Sequence, residues 1–114
     1  MIKNHGDKKL SKTGSHRRAM FANMLSSLIM NEKLVTTLPK AKELSRFFDR
    51  TVNTAQKQNY SGLKSVLRNK DAFKKMVEVI APRYKDRKSG FSSVLKIGER
   101  KGDAAMTALV KLAD

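Results

Sequence analysis

The sequence predicts a single two-layer α+β domain in the order helix, strand, three helices, two strands. Its small mixed sheet is covered by helices, and a basic N-terminal arm precedes it. Three observations predict this. Apolar residues recur at three- and four-residue steps over 19–29 and 41–55, the period of a helix with one buried face. A short β-branched run, "KLVTT" at 33–37, separates those two stretches. Near the C-terminus two apolar runs flank "GERKGD", whose glycines and aspartate punctuate a hairpin. A length of 114 residues suits one compact domain.

The elements follow in order. Residues 1–13 hold three apolar side chains, Met1, Ile2 and Leu10, with no usable period, and read as an extended arm that needs a partner for order. Ser15 is a natural N-cap for a first helix over 15–31, whose stripe is Ala19, Met20, Phe21, Met24, Leu25, Leu28 and Ile29. That Met-rich stripe reads as core. Lys33–Thr37 is the first strand. Thr37 then caps a second helix to about Gln56, with Pro39 tolerated in its first turn because the missing N–H is not needed there. Ala41, Leu44, Phe48, Val52 and Ala55 form its buried face.

"QNYSG" breaks the pattern, and a short helix over 63–69 follows. Asp71 is the expected cap of a fourth helix carrying Phe73, Met76, Val77 and Ile80, which Pro82 should end. Residues 83–90 form a basic loop, and "FSSVLKIG" and "AAMTALVKLA" supply the last two strands. No linker or internal repeat divides residues 14–114.

Charge points outside the chain. There are 25 Lys and Arg against 10 Asp and Glu, a net charge of +15, and self-repulsion at that density opposes compactness unless a polyanion binds. Basic residues also solubilise surfaces, but solubility does not require one sign in such excess. The excess is concentrated. Residues 1–18 carry a net +5, as do residues 83–101, whereas residues 19–82 carry +6 over a much longer span. Arg17 and Arg18 stand in the first turn of helix one, where the aligned peptide dipoles already place roughly +0.5 of an elementary charge. That arrangement suits an external anion.

Catalysis finds no support. The absence of cysteine excludes disulfides, thiolate metal sites and a cysteine nucleophile, and fits a reducing compartment. His5 and His16 have no acidic neighbour in sequence to orient them, and no metal-ligand spacing, Walker-type loop or dinucleotide fingerprint is present. No cofactor, metal or small-molecule substrate is expected. Nor is a membrane partner: no apolar run reaches the ~20 residues that span a bilayer, and no signal-peptide core follows Met1. An intracellular, cytoplasmic chain is expected.

Phosphate recognition remains. The candidate contacts are Lys3, Lys8, Lys9 and Lys12 in the arm, then His16, Arg17 and Arg18 at the start of helix one, and Lys40 in helix two. Arg83, Lys85, Arg87 and Lys88 follow in the loop, and Lys96, Arg100 and Lys101 in the hairpin. Tyr84 joins them as a residue that either stacks a base or packs on the sheet. The concentration of cations in an arm and loops suits an irregular folded RNA. A DNA reader usually presents one helix with base-reading side chains on its outer face. DNA compaction or regulation is the alternative function.

Four segments, "SHRRAMFANML" at 15–25, "TTLPKAKEL" at 36–44, "PRYKDR" at 82–87 and "GERKGDAA" at 98–105, resemble the L-seventeen family of bacterial large-subunit ribosomal proteins. The resemblance spans nearly the whole chain in matching order and spacing. It implies a helix, a strand, three helices and a two-stranded hairpin. It also implies binding to large-subunit ribosomal RNA near the nascent-chain exit region, beside other large-subunit proteins. The chain departs from the family pattern at Ile2 and Asp7 in the arm. It has Phe91, Ser92 and Ser93 where a tyrosine-threonine-arginine triplet is usual, Met106 where the hairpin usually has proline, and Lys111 where a late glutamate is usual.

Overall fold

The computed structural model describes residues 14–114; the arm and its lysines 3, 8, 9 and 12 lie outside the described residues. The elements are α1 (Gly14–Asn31), β1 (Lys33–Thr37), α2 (Leu38–Gln56), α3 (Tyr60–Val66), α4 (Lys70–Lys75), a π-helical turn (Met76–Ile80), α5 (Ala81–Arg83), β2 (Ser92–Glu99) and β3 (Met106–Leu112). The expected order holds. α4, the π turn and α5 form one continuous helical run.

Local differences from the sequence reading have local causes. α1 already includes Gly14, so Ser15 lies inside the first turn and does not cap it. Thr37 has the extended backbone of an N-cap, but its hydroxyl makes no capping bond. A cap bonds the second or third helical N–H, and Pro39, the second residue of α2, has none. Asn59 caps α3 by accepting from Gly62 N–H at 3.1 Å, which starts that helix three residues earlier than the stripe suggests. Asn69, not Asp71, caps α4 through Ala72 N–H at 3.1 Å. Asp71 instead sits in the first turn, where its charge complements the dipole.

Pro82 does not end the fourth helix; the run continues to Arg83. The π turn explains this. Its wider i→i+5 spacing, closed by Ala81 N–H on Met76 O, relieves the clash a proline ring makes with the carbonyl four residues back. Tyr84 N–H then bonds Ile80 O at 3.2 Å, so the ladder resumes past the proline.

The sheet has the order β1-β3-β2 and is antiparallel throughout rather than mixed. β1 and β2 run the same way, but β3 lies between them, so no parallel ladder forms. Its register pairs Val35 with Leu109 and Leu109 with Leu95. Ile97 bulges out between Lys96 and Gly98, and Gly98 there adopts φ 151°. Ala108, Val110 and Leu112 alternate inward, and α2 packs on that face against β2 and β3. The other face carries Val35 and Leu95, both exposed.

The core lies between helices and sheet. Phe21, Leu25, Leu28 and Ile29 of α1 and Ala41, Leu44, Phe48, Val52 and Ala55 of α2 are buried, as the periodicity requires. Met76, Ile80 and Phe91 close it. Met20 and Met24 pack against its edge.

Candidate nucleic-acid interface

Among the described residues the frame places the candidate cations in three groups. Arg17 and Arg18 stand at the start of α1, Arg18 beside Phe47 of α2 and the C-terminal end of α3. His16 is exposed in the same turn. The far end of α1, Asn31, lies about 20 Å from Arg18 at a rise of ~1.5 Å per residue. There Glu32 meets Arg83, at the base of the second group, residues 83–88. The third group sits at the opposite end of the sheet. Lys96, Arg100 and Lys101 belong to the β2–β3 hairpin, and Lys40 follows three residues after Thr37, whose partner Thr107 marks that end. Loop and hairpin groups are thus separated by the length of β3. Among the described residues the candidate cations stand apart and do not converge on one point.

The 83–90 loop is a fixed platform. Gln56 of α2 donates to Tyr84 O at 2.8 Å and to Arg87 O at 3.4 Å. Arg87 donates to Gly90 O at 2.8 Å, and Gly90 takes φ 67°, where a Cβ would be strained. Phe91 N–H donates to the Asp49 carboxylate at 3.2 Å. Burial raises the Asp49 carboxyl above its ordinary value, an effect that the N–H groups of Phe91 and Gly90 oppose. Lys85 and Lys88 are held outward on this platform, both exposed.

Tyr84 packs. Its ring is 4 % exposed, lies 5.6 Å from that of Phe91, and its hydroxyl donates to Ala113 O. Of the two roles the sequence leaves open, core packing is the one the geometry supports, and base stacking drops out. A phenol ring flanked by cations in sequence reads the same either way; only burial decides.

Two of the candidate arginines, Arg83 and Arg100, form ion pairs within the chain. Arg83 makes a two-pronged pair with Glu32 at 2.7 and 3.2 Å, and Lys75 adds a third contact at 3.0 Å. The Arg83 guanidinium, with Lys75 beside it, holds the Glu32 carboxyl down at about 2. Arg100 donates through Nε to Asp103 at 3.2 Å, and Asp103 also accepts from Ala105 N–H at 3.1 Å, which ties off the hairpin. The Arg100 guanidinium and the Ala105 N–H hold Asp103 down at about 2. Both arginines stay partly exposed, at 35 % and 52 %, so they retain faces for a phosphate while serving the fold.

Sequence reading passed over Arg68, which lines a groove with Arg18, and over Gln56, Asp49 and Glu32, which set the loop in place. No local signal marks them. Their partners are 28 to 51 residues away. Among the described residues no cluster of His, Cys, Asp or Glu could hold a metal ion. No helix among them is long and apolar enough to cross a membrane.

Comparison with known proteins identifies relatives of this chain. Residues 20–113 match the family described as Ribosomal protein L17. The large ribosomal subunit protein bL17 of Elusimicrobium minutum is 47 % identical over 114 residues, covering all of both chains. That of Hyphomonas neptunium is 46 % identical over 110 residues, covering 94 % of this chain and 79 % of the relative. That of Endomicrobium trichonymphae is 40 % identical over 98 % of each. At such identity over nearly its full length, the chain belongs to the ribosomal protein L17 family.

Proposed function

We propose that the chain is a structural constituent of the large subunit of a bacterial, cytoplasmic ribosome and has no catalytic role. It binds large-subunit ribosomal RNA through backbone phosphates and supports subunit assembly near the nascent-chain exit region, beside neighbouring large-subunit proteins. The observation that carries this reading is the family match over residues 20–113, joined to a surface of net +15 whose cations stand in separated groups. Separated groups on a fixed frame suit an RNA that wraps several faces, because each phosphate contact needs only a local anion and not a shared pocket.

The arm lysines 3, 8, 9 and 12 extend the contact from the start of α1. Arg17 and Arg18 meet phosphate at the helix N-terminus, which itself attracts anions. Lys85, Arg87 and Lys88 contact RNA from the loop platform, and Lys40, Lys96, Arg100 and Lys101 from the hairpin end.

Sedimentation of a bacterial extract containing the tagged protein tests this. The protein should travel with large subunits through moderate salt and after nuclease removal of DNA. Recovery with the nucleoid, lost on DNA digestion, would favour the DNA-compacting alternative and refute the ribosomal one.

A further inference from the structure

α1 and the end of α3 diverge around Phe47 and leave a groove of about 440 Å³. Phe21, Ala22, Leu25, Phe47 and Val66 give it a largely apolar lining, to which Ser15 and Arg18 on the α1 side and Ser65 and Arg68 on the α3 side add polar groups. Among the described residues no carboxylate lines it. The ion pairs of Arg46, Lys75, Arg83 and Arg100 are made with Glu43, Glu32 and Asp103, away from Arg18 and Arg68.

We propose that this groove takes one unpaired nucleotide of the bound RNA, its base in the apolar interior and its flanking phosphates on Arg18 and Arg68. The inference rests on the RNA-binding reading and adds a base contact to it. Two requirements select the occupant. The interior excludes a bare anion, because burying a charge against apolar walls is costly. The two arginines exclude a cationic partner segment. A flat, largely apolar group joined to phosphates satisfies both, and unstacked loop bases held against apolar or guanidinium surfaces are how folded RNA is read.

The test places 2-aminopurine in turn at each unpaired position of a large-subunit RNA fragment that the protein binds. One position should change fluorescence several-fold on binding, since the base leaves its stacked neighbours. Ala22→Leu, a helix-compatible substitution that fills the groove, should abolish that change and weaken binding about tenfold, the scale of one stacked base. Arg68→Gln should flatten the slope of log affinity against log salt by about one. If the wild type binds the fragment but no position responds, or if both variants bind as the wild type does, the groove is a packing gap and the proposal falls while RNA binding stands. A drop in melting temperature for Ala22→Leu together with an unchanged slope for Arg68→Gln also overturns it. Displacement of the signal by micromolar free nucleotide would make the groove a site for mobile nucleotides and overturn its assignment to RNA. If the wild type does not bind the fragment at all, the RNA reading itself fails.

Discussion

Glu32 joins more of the molecule than any neighbour in sequence suggests. It ends α1 in the left-handed region at φ 63°, its N–H reaches Leu28 O at 2.6 Å, and its carbonyl accepts from Leu112 at 3.1 Å. Its carboxylate binds Arg83 and Lys75 from the fourth helical run. Because Arg83 and Lys75 hold it at about 2, against 4.5 in the unfolded chain, the stability it contributes is complete above pH 4.5 and is lost as pH falls towards 2. Glu32→Gln should therefore cost about 1 kcal/mol near neutral pH, a figure already reduced for screening at a carboxylate 39 % exposed. It should also flatten the decline of melting temperature over that acid window, which thermal melting at several pH values would show. At the opposite end of α1 the prediction has the other sign. Arg17 and Arg18 oppose the dipole, typically by about 0.3–1 kcal/mol for an exposed charge. Replacing both with Gln should leave the free protein as stable or slightly more so, while its RNA binding weakens. A variant that melts several degrees lower with unchanged RNA affinity would assign these arginines to the fold. The arginines were legible in the sequence because a cation at a helix start is locally anomalous. Glu32 was not, because its role depends on a partner 51 residues away.

Elements were legible wherever a period of 3.6 or a hairpin signal ran long enough to outvote its neighbours. α1, α2, β1 and the β2–β3 hairpin lie within one or two residues of expectation. α3 is shifted by three, since its seven residues give a stripe too few repeats, and the starts of α3 and α4 are set by Asn59 and Asn69. Asn59→Ala and Asn69→Ala should each cost about 1 kcal/mol, the ordinary loss of a side-chain cap, measurable by chemical denaturation. Pro82 misleads because a proline normally marks a stop; a π turn absorbs it here. The buried faces allow a stronger prediction. Leu44, Phe48 and Ile80 are all fully buried, and truncating any of them to Ala should destabilise the fold by about 2–5 kcal/mol. A loss under about 0.5 kcal/mol at all three would mean that the helices face the other way.

The whole molecule is a small core carrying a large charge. Its fold class could be read from the sequence, but the antiparallel pairing of the sheet could not, because strand order follows from packing and not from any one strand. The three-group division of the cations was hidden for the same reason: Lys40 and Lys96 are far apart in the chain yet share one end of the sheet. That division has a consequence for binding. An RNA held at several separated places releases many counterions, each contact adding roughly 0.7–0.9 to the slope of log affinity against log salt. The most direct test of the central claim is therefore a titration of the full chain with a folded large-subunit RNA fragment at several salt concentrations, with duplex DNA of equal length as competitor. A steep negative slope of several units is predicted, flattened by up to about two in the Arg17→Gln, Arg18→Gln double variant, with the RNA preferred over the DNA. Equal affinity for the DNA, or binding that salt leaves unchanged, would contradict it.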